Sequence, residues 1–438
     1  MFGLVAHAVQ ISYRFPLPIW IYVLAGGAAV LASAPTAVLA VEAEPRVWWR
    51  SRWFRVPGLG KLGLAVCTVL FLYGLVTGLG GMTGQSHEFF ENSITVMTWV
   101  DFWVGLGILS WLVGDIWDVV SPLSAAARAL DRFLGRLEAP QLVYPELVGQ
   151  WPSVALVLGW SWAELIWPAA KEPRTLALMS IGYCLFTLVG SALYGAETWL
   201  GNAELFTAIA RTFSRFAPLE IREGRARLRP YGAGLSADEP LPAGGGALVV
   251  ALLATVVFDG FSQTNRYASL EAWFLDRWSW LGLHTQLLDT GLMVALVVLF
   301  VLAYLLVTGS RDAASRYAPT LIPIAAVYFA AHYFSYLLLA GQATLGAIVD
   351  PLGHSWNPWG LGEYPLNKSV TPAVMVWWVQ IVLIVWGHIV AVFTAHRVAL
   401  RRGLAPRRAL VLSVPLVLLM VCYTMVGLWV LAQQIRAA

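Results

Sequence analysis

The feature that most constrains this chain is a series of ten apolar stretches, each long enough to cross a lipid bilayer. About 20 predominantly apolar residues in a helix span the hydrocarbon core. The stretches lie at 17–41, 62–83, 95–118, 152–169, 176–200, 247–261, 287–308, 320–342, 373–396 and 409–433. Only 12% of the 438 residues are charged, whereas soluble domains carry about a quarter. The sequence therefore predicts an all-α, polytopic transmembrane helical bundle, with residues 1–438 as a single integral membrane domain in a lipid bilayer.

Positive charge is sorted between the connections of these spans. Five alternate connections hold 21 of the 28 Lys and Arg residues: 42–61, 121–150, 201–246, 309–319 and 397–408. Cytoplasmic loops of membrane proteins carry this excess of positive charge. We therefore expect these five connections in the cytoplasm and both termini outside. The N-terminal segment lacks a basic region followed by a small-residue cleavage site, so we expect it to be retained.

Two of the basic connections contain amphipathic patterns. The stretches "LSAAARALDRFLGRLE" (123–138) and "NAELFTAIARTFSRF" (202–216) each place arginines on one helical face and apolar side chains on the other. Such helices bind the anionic surface of a membrane. The loops 121–150 and 201–246 are therefore predicted to contain interfacial helices. Residues 343–372 are predicted to form an outer loop.

Several ionisable residues fall within the predicted spans. The eighth span carries His332 in "AAHYFSYLLLAGQA", and the ninth carries His388. From their distances to the outer ends of their spans, the two imidazoles differ in height by about 7 Å. Acidic residues occur at Asp101, Asp115, Asp118, Glu164 and Asp259. An ionisable residue inside a span indicates a functional site by default, although hydrogen-bonded packing of the helices is the alternative.

A second group of histidines lies in the predicted outer segments. It consists of His7, His87, His284 and His354, with Glu88, Glu91, Asp350 and Glu363 in the same loops. Imidazole and carboxylate groups are ligands for zinc, copper or iron. The spacing includes no HxH or HExxH pattern, so the indication of a metal is weak.

Other chemistry is excluded by missing motifs. The segment "GGMTGQSHE" lacks the lysine of a phosphate-binding loop, and no GxSxG nucleophile elbow occurs. The connections are too short for a soluble domain of useful size. We therefore expect neither an ATPase nor a protein that binds nucleic acid.

Along nearly its whole length, the chain resembles a family of bacterial polytopic membrane proteins called fenitrothion hydrolases. The resemblance is carried by "LPIWIYVLAGGAAVLASAPTAVLA" (17–40), "FWVGLGILSWLVGD" (102–115), "WAELIWP" (162–168), "LYGAETW" (193–199), "FDGFS" (258–262), "AHYFSYLLLAGQ" (331–342), "DPLG" (350–353) and "GHIVAVFTAHRVAL" (387–400). It implies hydrolysis of an organophosphate triester and a place in the bacterial cytoplasmic (inner) membrane. It extends to Asp115, Asp259, His332, Asp350, His388 and His396, and not to His87 or His354. The resemblance assigns no catalytic residues to this chain.

The first functional hypothesis is a metal-assisted hydrolase. A divalent metal would supply the activated water and stabilise charge on the phosphoryl oxygen. Asp259, His332 and Asp350 are the predicted ligands, and Asp259 and Asp350 are the predicted catalytic residues. An apolar small-molecule substrate would enter from the lipid.

Three alternatives stay open. His332 and His388 are predicted cofactor ligands that would hold haem b in a redox or anchor subunit of a larger membrane complex. A transporter would use the polar stripe of the fifth span, formed by Ser180, Tyr183, Thr187, Ser191, Tyr194 and Thr198. In a structural subunit, the buried polar groups would only hold the helices together.

Overall fold

A computed structural model describes residues 18–40, 52–55, 57–80, 92–135, 142–222, 225–236, 241–281, 284–350, 356–357, 360, 366–401 and 403–433. Over these residues the chain is an all-α bundle with one small sheet. The helices are α1 Ile19–Ala40, α2 Pro57–Gly80, α3 Ser93–Val96, α4 Trp103–Leu112, α5 Trp117–Val120, α6 Pro122–Phe133, α7 Trp151–Leu165, α8 Pro173–Tyr194, α9 Ala196–Asn202, α10 Leu205–Ser214, α11 Gly245–Ser262, α12 Asn265–Arg277, α13 Thr285–Thr308, α14 Arg311–Tyr317, α15 Leu321–Ala340, α16 Ala343–Val349, α17 Ala373–Arg401 and α18 Pro406–Leu431. The strands are β1 Phe54–Arg55, β2 Leu219–Arg222 and β3 Arg225–Leu228.

Nine helices within the described ranges are long and apolar enough to cross a membrane. They match nine of the ten predicted spans. The fourth, predicted at 152–169, is α7, which has 15 residues and falls short of the usual length. The nine apolar helices are compatible with an integral membrane protein. The N-terminal segment before residue 18 and the C-terminal residues after 433 lie outside the described residues.

Three of the basic connections meet at one end of the bundle. β1, from the connection 42–61, pairs antiparallel with β3, from the connection 201–246. The backbone amide of Leu219 donates to the Val113 carbonyl at 3.0 Å, and the Tyr231 hydroxyl donates to the Leu112 carbonyl at 2.5 Å. We call this the basic end and the other the opposite end.

The third span is shorter than predicted at the basic end. Its helix ends at Leu112, whereas the sequence predicts a span to residue 118. Gly114 breaks it with a φ of 155°, and a Cβ there would lie 2.3 Å from the Leu219 carbonyl oxygen. Asp115 and Asp118 therefore lie beyond the span.

Beyond the break, an ion-pair network joins the connections of the basic end. Asp118 Oδ1 accepts hydrogen bonds from Arg128 at 2.6 Å and Arg211 at 3.3 Å, and both arginines also reach Glu197. Burial, and then repulsion from Asp118, raises the pKa of Asp115 to about 7.

The two predicted amphipathic segments are helical but differ in their surroundings. On α6, Phe133 is 87% exposed, so the apolar face is open. In contrast, α10 packs against α4, α7 and α15, and Phe206 and Phe213 are buried. Protein covers the apolar face of α10, which was predicted to lie on a membrane. The location of α6 in the membrane interface stays a prediction.

The centre of the bundle is α15. Nearly all its side chains are buried, and it packs against α4, α11 and α17. Gln380 of α17 donates to the Ala331 carbonyl of α15 at 3.0 Å, which confirms that the predicted eighth and ninth spans are neighbours. Polar side chains on α15 therefore point at other helices.

Candidate functional site

The carboxylate of Asp259 is the centre of a buried polar cluster. It lies near the end of α11 and has no solvent exposure. Its Oδ2 atom lies 2.9 Å from Nε2 of His332 and accepts a 2.9 Å hydrogen bond from the Tyr333 hydroxyl. Its Oδ1 atom accepts a 2.9 Å hydrogen bond from the side-chain amide of Gln263. A carboxylate can be buried in a bundle only with such partners.

Glu164, on α7, is a second buried acid beside this centre. It is 4% exposed and lies close enough to interact electrostatically with Asp259 and with the ammonium group of Lys171. Its Oε1 atom is buried and has no hydrogen-bond partner within the described part of the chain. Among the described residues, the cluster thus includes the carboxylates of Asp259 and Glu164, the imidazole of His332 and the ammonium group of Lys171.

Lys171 reaches the cluster because α7 stops early. The residue before a proline is biased away from helical geometry, and Trp167, before Pro168, is extended at φ −93° and ψ 105°. A single 3₁₀ turn from Pro168 to Lys171 follows. Trp99 donates its indole N–H to the Ala170 carbonyl at 3.3 Å, and Ala170 is fully buried. Irregular backbone inside a bundle needs such internal partners.

The third span is also irregular at this level. Residues Met97–Phe102 form a π-helix, an arrangement that often occurs at functional sites. It carries Asp101, whose Oδ2 atom accepts a 2.7 Å hydrogen bond from Thr344, just inside α16. Two departures from regular helix, in the third and fourth spans, thus lie on the side of the bundle that holds Glu164 and Lys171.

The structure brings together only part of the predicted site. Asp259 and His332 form a direct pair. Asp350 lies at the end of α16, where it interacts with Tyr73 of α2. His388 is buried on α17, with Nδ1 2.7 Å from the Ile384 carbonyl oxygen. No group of three or more His, Cys, Asp and Glu residues that could hold a metal ion occurs in the ranges given above. The metal-binding roles of Asp259, His332 and Asp350, and the catalytic roles of the two acids, stay predictions.

The predicted haem ligation by His332 and His388 also stays a prediction. The cavity that His388 lines has room for about one water molecule, which is far smaller than haem. Of the predicted outer histidines, His284 precedes the first turn of α13. The others, His7, His87 and His354, lie outside the described residues, as do Glu88, Glu91 and Glu363.

Three partners of the cluster were not predicted. Gln263 stands four residues after Asp259, a spacing that places two side chains on one face of a helix and could have indicated it. Tyr333 follows His332 directly, and its role depends on the rotation of α15, which the sequence does not reveal. Lys171 lies in a predicted outer connection, and the pattern of Lys and Arg in the five basic connections gives no reason to expect a positive charge there. Glu164 was recognised as an ionisable residue in a span, without a role.

The fold is a helical bundle compatible with an integral membrane protein, and it contains a buried cluster of ionisable side chains. In comparisons with family models, curated proteins and solved structures, nothing matches this chain.

Proposed function

We propose that this protein passes protons through its helical bundle, with Glu164, Asp259 and His332 as the proton-binding site. Ionisable residues that face the interior of a membrane bundle mark ion pathways and proton relays. The observation that carries the proposal is the presence of two buried carboxylates, Glu164 and Asp259, that interact with each other and with the ammonium group of Lys171.

The charge balance of the cluster supports this role. With both acids ionised, Lys171 charged and His332 neutral, these four described groups would together carry one net negative charge, centred on two buried carboxylates. An unbalanced buried charge is costly, by several kcal/mol. One additional proton, on His332 or on a carboxylate, makes the cluster neutral. The cluster is therefore suited to bind one exchangeable proton.

The hydrogen bonds of Asp259 provide a route for this proton within the site. His332 and Tyr333 both contact Oδ2, so a proton can move between imidazole, carboxylate and hydroxyl without a large displacement. The Nδ1 atom of His332 has no hydrogen-bond partner among the residues that the structure describes. It is the free end of the pair, available to take up or release a proton.

The experiment is a proton flux assay with purified protein in liposomes that contain a pH-sensitive dye. A potassium gradient with valinomycin sets the membrane potential, and the dye reports proton entry. We expect wild-type vesicles to acidify at least about tenfold faster than protein-free vesicles. Wild-type vesicles that acidify no faster than empty ones, in either direction of the potential, would overturn the proposal.

A second candidate function is hydrolysis of an organophosphate triester, as the family resemblance implies. The pairing of His332 with Asp259 favours it, because a carboxylate that orients an imidazole leaves the other ring nitrogen as a general base. The expected substrate is apolar and enters from the lipid. Release of nitrophenol from an aryl phosphotriester by the wild type, and its loss in His332→Asn, would support hydrolysis. Equal release by both proteins would reject this role for His332.

A further inference from the structure

A second group of buried polar atoms lies on the basic-end side of Asp259. A small cavity there, with room for about one water molecule, is lined by apolar side chains of α11, α13, α15 and α18 and by Tyr328, His388 and Tyr423. The Tyr328 hydroxyl and Nε2 of His388 are both buried and have no hydrogen-bond partner among the described residues. Buried polar atoms are nearly always paired, so two unpaired ones on side chains that line one cavity require an explanation.

The hydrogen bond of His388 fixes which ring nitrogen is left as an acceptor. Nδ1 lies 2.7 Å from the Ile384 carbonyl oxygen, which can only accept. Nδ1 must therefore carry the hydrogen. In the neutral ring, Nε2 then has a free lone pair. His388 is 1% exposed, so this lone pair is shielded from bulk solvent and available to a proton donor in the cavity.

Tyr328 links this cavity to the cluster of Asp259. It stands four residues before His332 on α15, so both side chains lie on the same face one turn apart. Tyr328 also interacts electrostatically with Asp259. On α11, Val257 and Leu253 line the cavity, and they are about 3 and 9 Å from Asp259 along the helix axis.

The cavity lies toward the basic end. Trp386 stands two residues before His388, and its ring centroid is 5.0 Å from that of Phe216 and 6.0 Å from that of Tyr231. Both partners belong to the connection that carries β2 and β3. Eight residues after His388 on α17, about 12 Å further along the helix, is His396. It is 2% exposed, and both its ring nitrogens lack a partner within the described ranges.

We infer that Tyr328 and His388 form a second proton-binding station, which connects the Asp259 cluster to the basic end. This rests on the proposed function and deepens it by naming the route. A water molecule in the cavity donates a proton to Nε2 of His388 and accepts one from the Tyr328 hydroxyl. Tyr328 regains a proton from the Asp259–His332 pair. One proton leaves the cluster and one imidazolium forms, and only O–H and N–H bonds change.

The cavity offers a matched pair of tyrosines for the test. Tyr328 and Tyr423 both line it, but the Tyr423 hydroxyl donates to the Phe300 carbonyl at 3.5 Å, whereas that of Tyr328 has no such partner. In the liposome assay we expect Tyr328→Phe and His388→Gln to reduce proton flux at least about tenfold. Tyr423→Phe should retain wild-type flux. Wild-type flux in both Tyr328→Phe and His388→Gln, with flux lost in Asp259→Asn, would overturn the second station and leave the proposed function standing.

A second readout keeps the station testable if the wild type shows no flux, which would overturn the proposed function. Nitrogen NMR of protein labelled at histidine reports the tautomer of His388 and the hydrogen bond at Nε2. We expect the Nδ1–H tautomer, with an Nε2 resonance that shifts in Tyr328→Phe and not in Tyr423→Phe. The opposite tautomer, or no shift in Tyr328→Phe, would show that the two groups share no bridging molecule.

Discussion

His332 and Asp259 are 73 positions apart in the sequence, yet Nε2 of one lies 2.9 Å from Oδ2 of the other inside the bundle. The pair joins α15, the central helix, to α11. Tyr333 also comes from α15, Gln263 directly follows α11, and Glu164 approaches from α7. An interaction of this kind fixes the rotation of each helix, because a small turn of either would separate the pair.

Loss of the Asp259 carboxylate should destabilise the bundle. Asp259→Ala leaves His332, Tyr333 and Gln263 without their shared acceptor, and we expect a loss of about 3 kcal/mol. Asp259→Asn keeps one acceptor oxygen and should lose less. Thermal unfolding in detergent measures both. The control is Asp312→Asn, whose side chain is 69% exposed in an ion pair with Arg316 and should change stability by less than about 1 kcal/mol. A smaller loss in Asp259→Ala than in the control would show that the cluster does not stabilise the fold.

The irregular segment after α7 should depend on Trp99. Trp99→Phe removes the hydrogen bond to the Ala170 carbonyl and leaves that buried oxygen without this donor, at an expected cost of about 1–3 kcal/mol. Trp280→Phe is the matched control, because that ring is 76% exposed. Unfolding curves of the two variants in the same detergent give the difference. Equal stability would mean that the bond to Ala170 does not hold the turn in place.

The break at the end of the third span should require glycine. Gly114→Ala places a Cβ 2.3 Å from the Leu219 carbonyl oxygen at a φ that disfavours other residues, and we expect a loss of about 3 kcal/mol. Gly182→Ala, on α8, has open space around the new Cβ and should stay within about 1 kcal/mol of the wild type. Thermal midpoints compare the two. A Gly114→Ala protein as stable as Gly182→Ala would contradict the close approach of the two segments.

Stability at the basic end should depend on pH through Asp115. Because folding raises its pKa to about 7, the protonated carboxyl favours the folded state. The contribution of protonated Asp115 to the free energy of unfolding is complete below the pKa of the unfolded state, about 4. It is lost as the pH rises through about 7, the pKa of the folded state. Asp115→Asn mimics the protonated form and should be more stable than the wild type at pH 8, by on the order of 4 kcal/mol. The difference should shrink as the pH falls toward 5.

Thermal unfolding of Asp115→Asn and the wild type across this pH range makes the comparison. The exposed Asp312→Asn variant again serves as the control, with no such trend expected. A constant difference between Asp115→Asn and the wild type at all pH values would contradict a titrating carboxyl at residue 115.

Much of the bundle could be predicted because hydropathy and charge act over whole segments. Nine spans follow from runs of apolar residues. Because Lys and Arg are concentrated in alternate connections, the connections that carry β1 and β3 were predicted on one side, and these two strands pair. The sequence indicated Asp259 and His332 separately, as ionisable residues at membrane depth. Their pairing depends on the rotation of α11 and α15, and periodicity carries little such information when three quarters of a helix is buried, as in α15.

Two local features escaped prediction for different reasons. Pro168 stands at the break after α7, but a run of apolar residues continues past it, and hydropathy alone extended the span to residue 169. The π-helix at Met97–Phe102 has no signal in residue type, since it arises from how the third span packs. These irregular segments lie on the side of the bundle that holds Glu164, Lys171 and Asp101. Proteins depart from regular secondary structure mainly at functional sites.

The flux ratio between Asp259→Asn and Asp312→Asn in liposomes tests the central claim most directly. Both variants remove one negative charge, but one lies in the buried cluster and the other on the surface. If the cluster is a proton-binding site on the path, Asp312→Asn should conduct as the wild type does and Asp259→Asn should fall to the rate of protein-free vesicles. Equal proton flux through the two variants would contradict the claim that the Asp259 cluster handles protons.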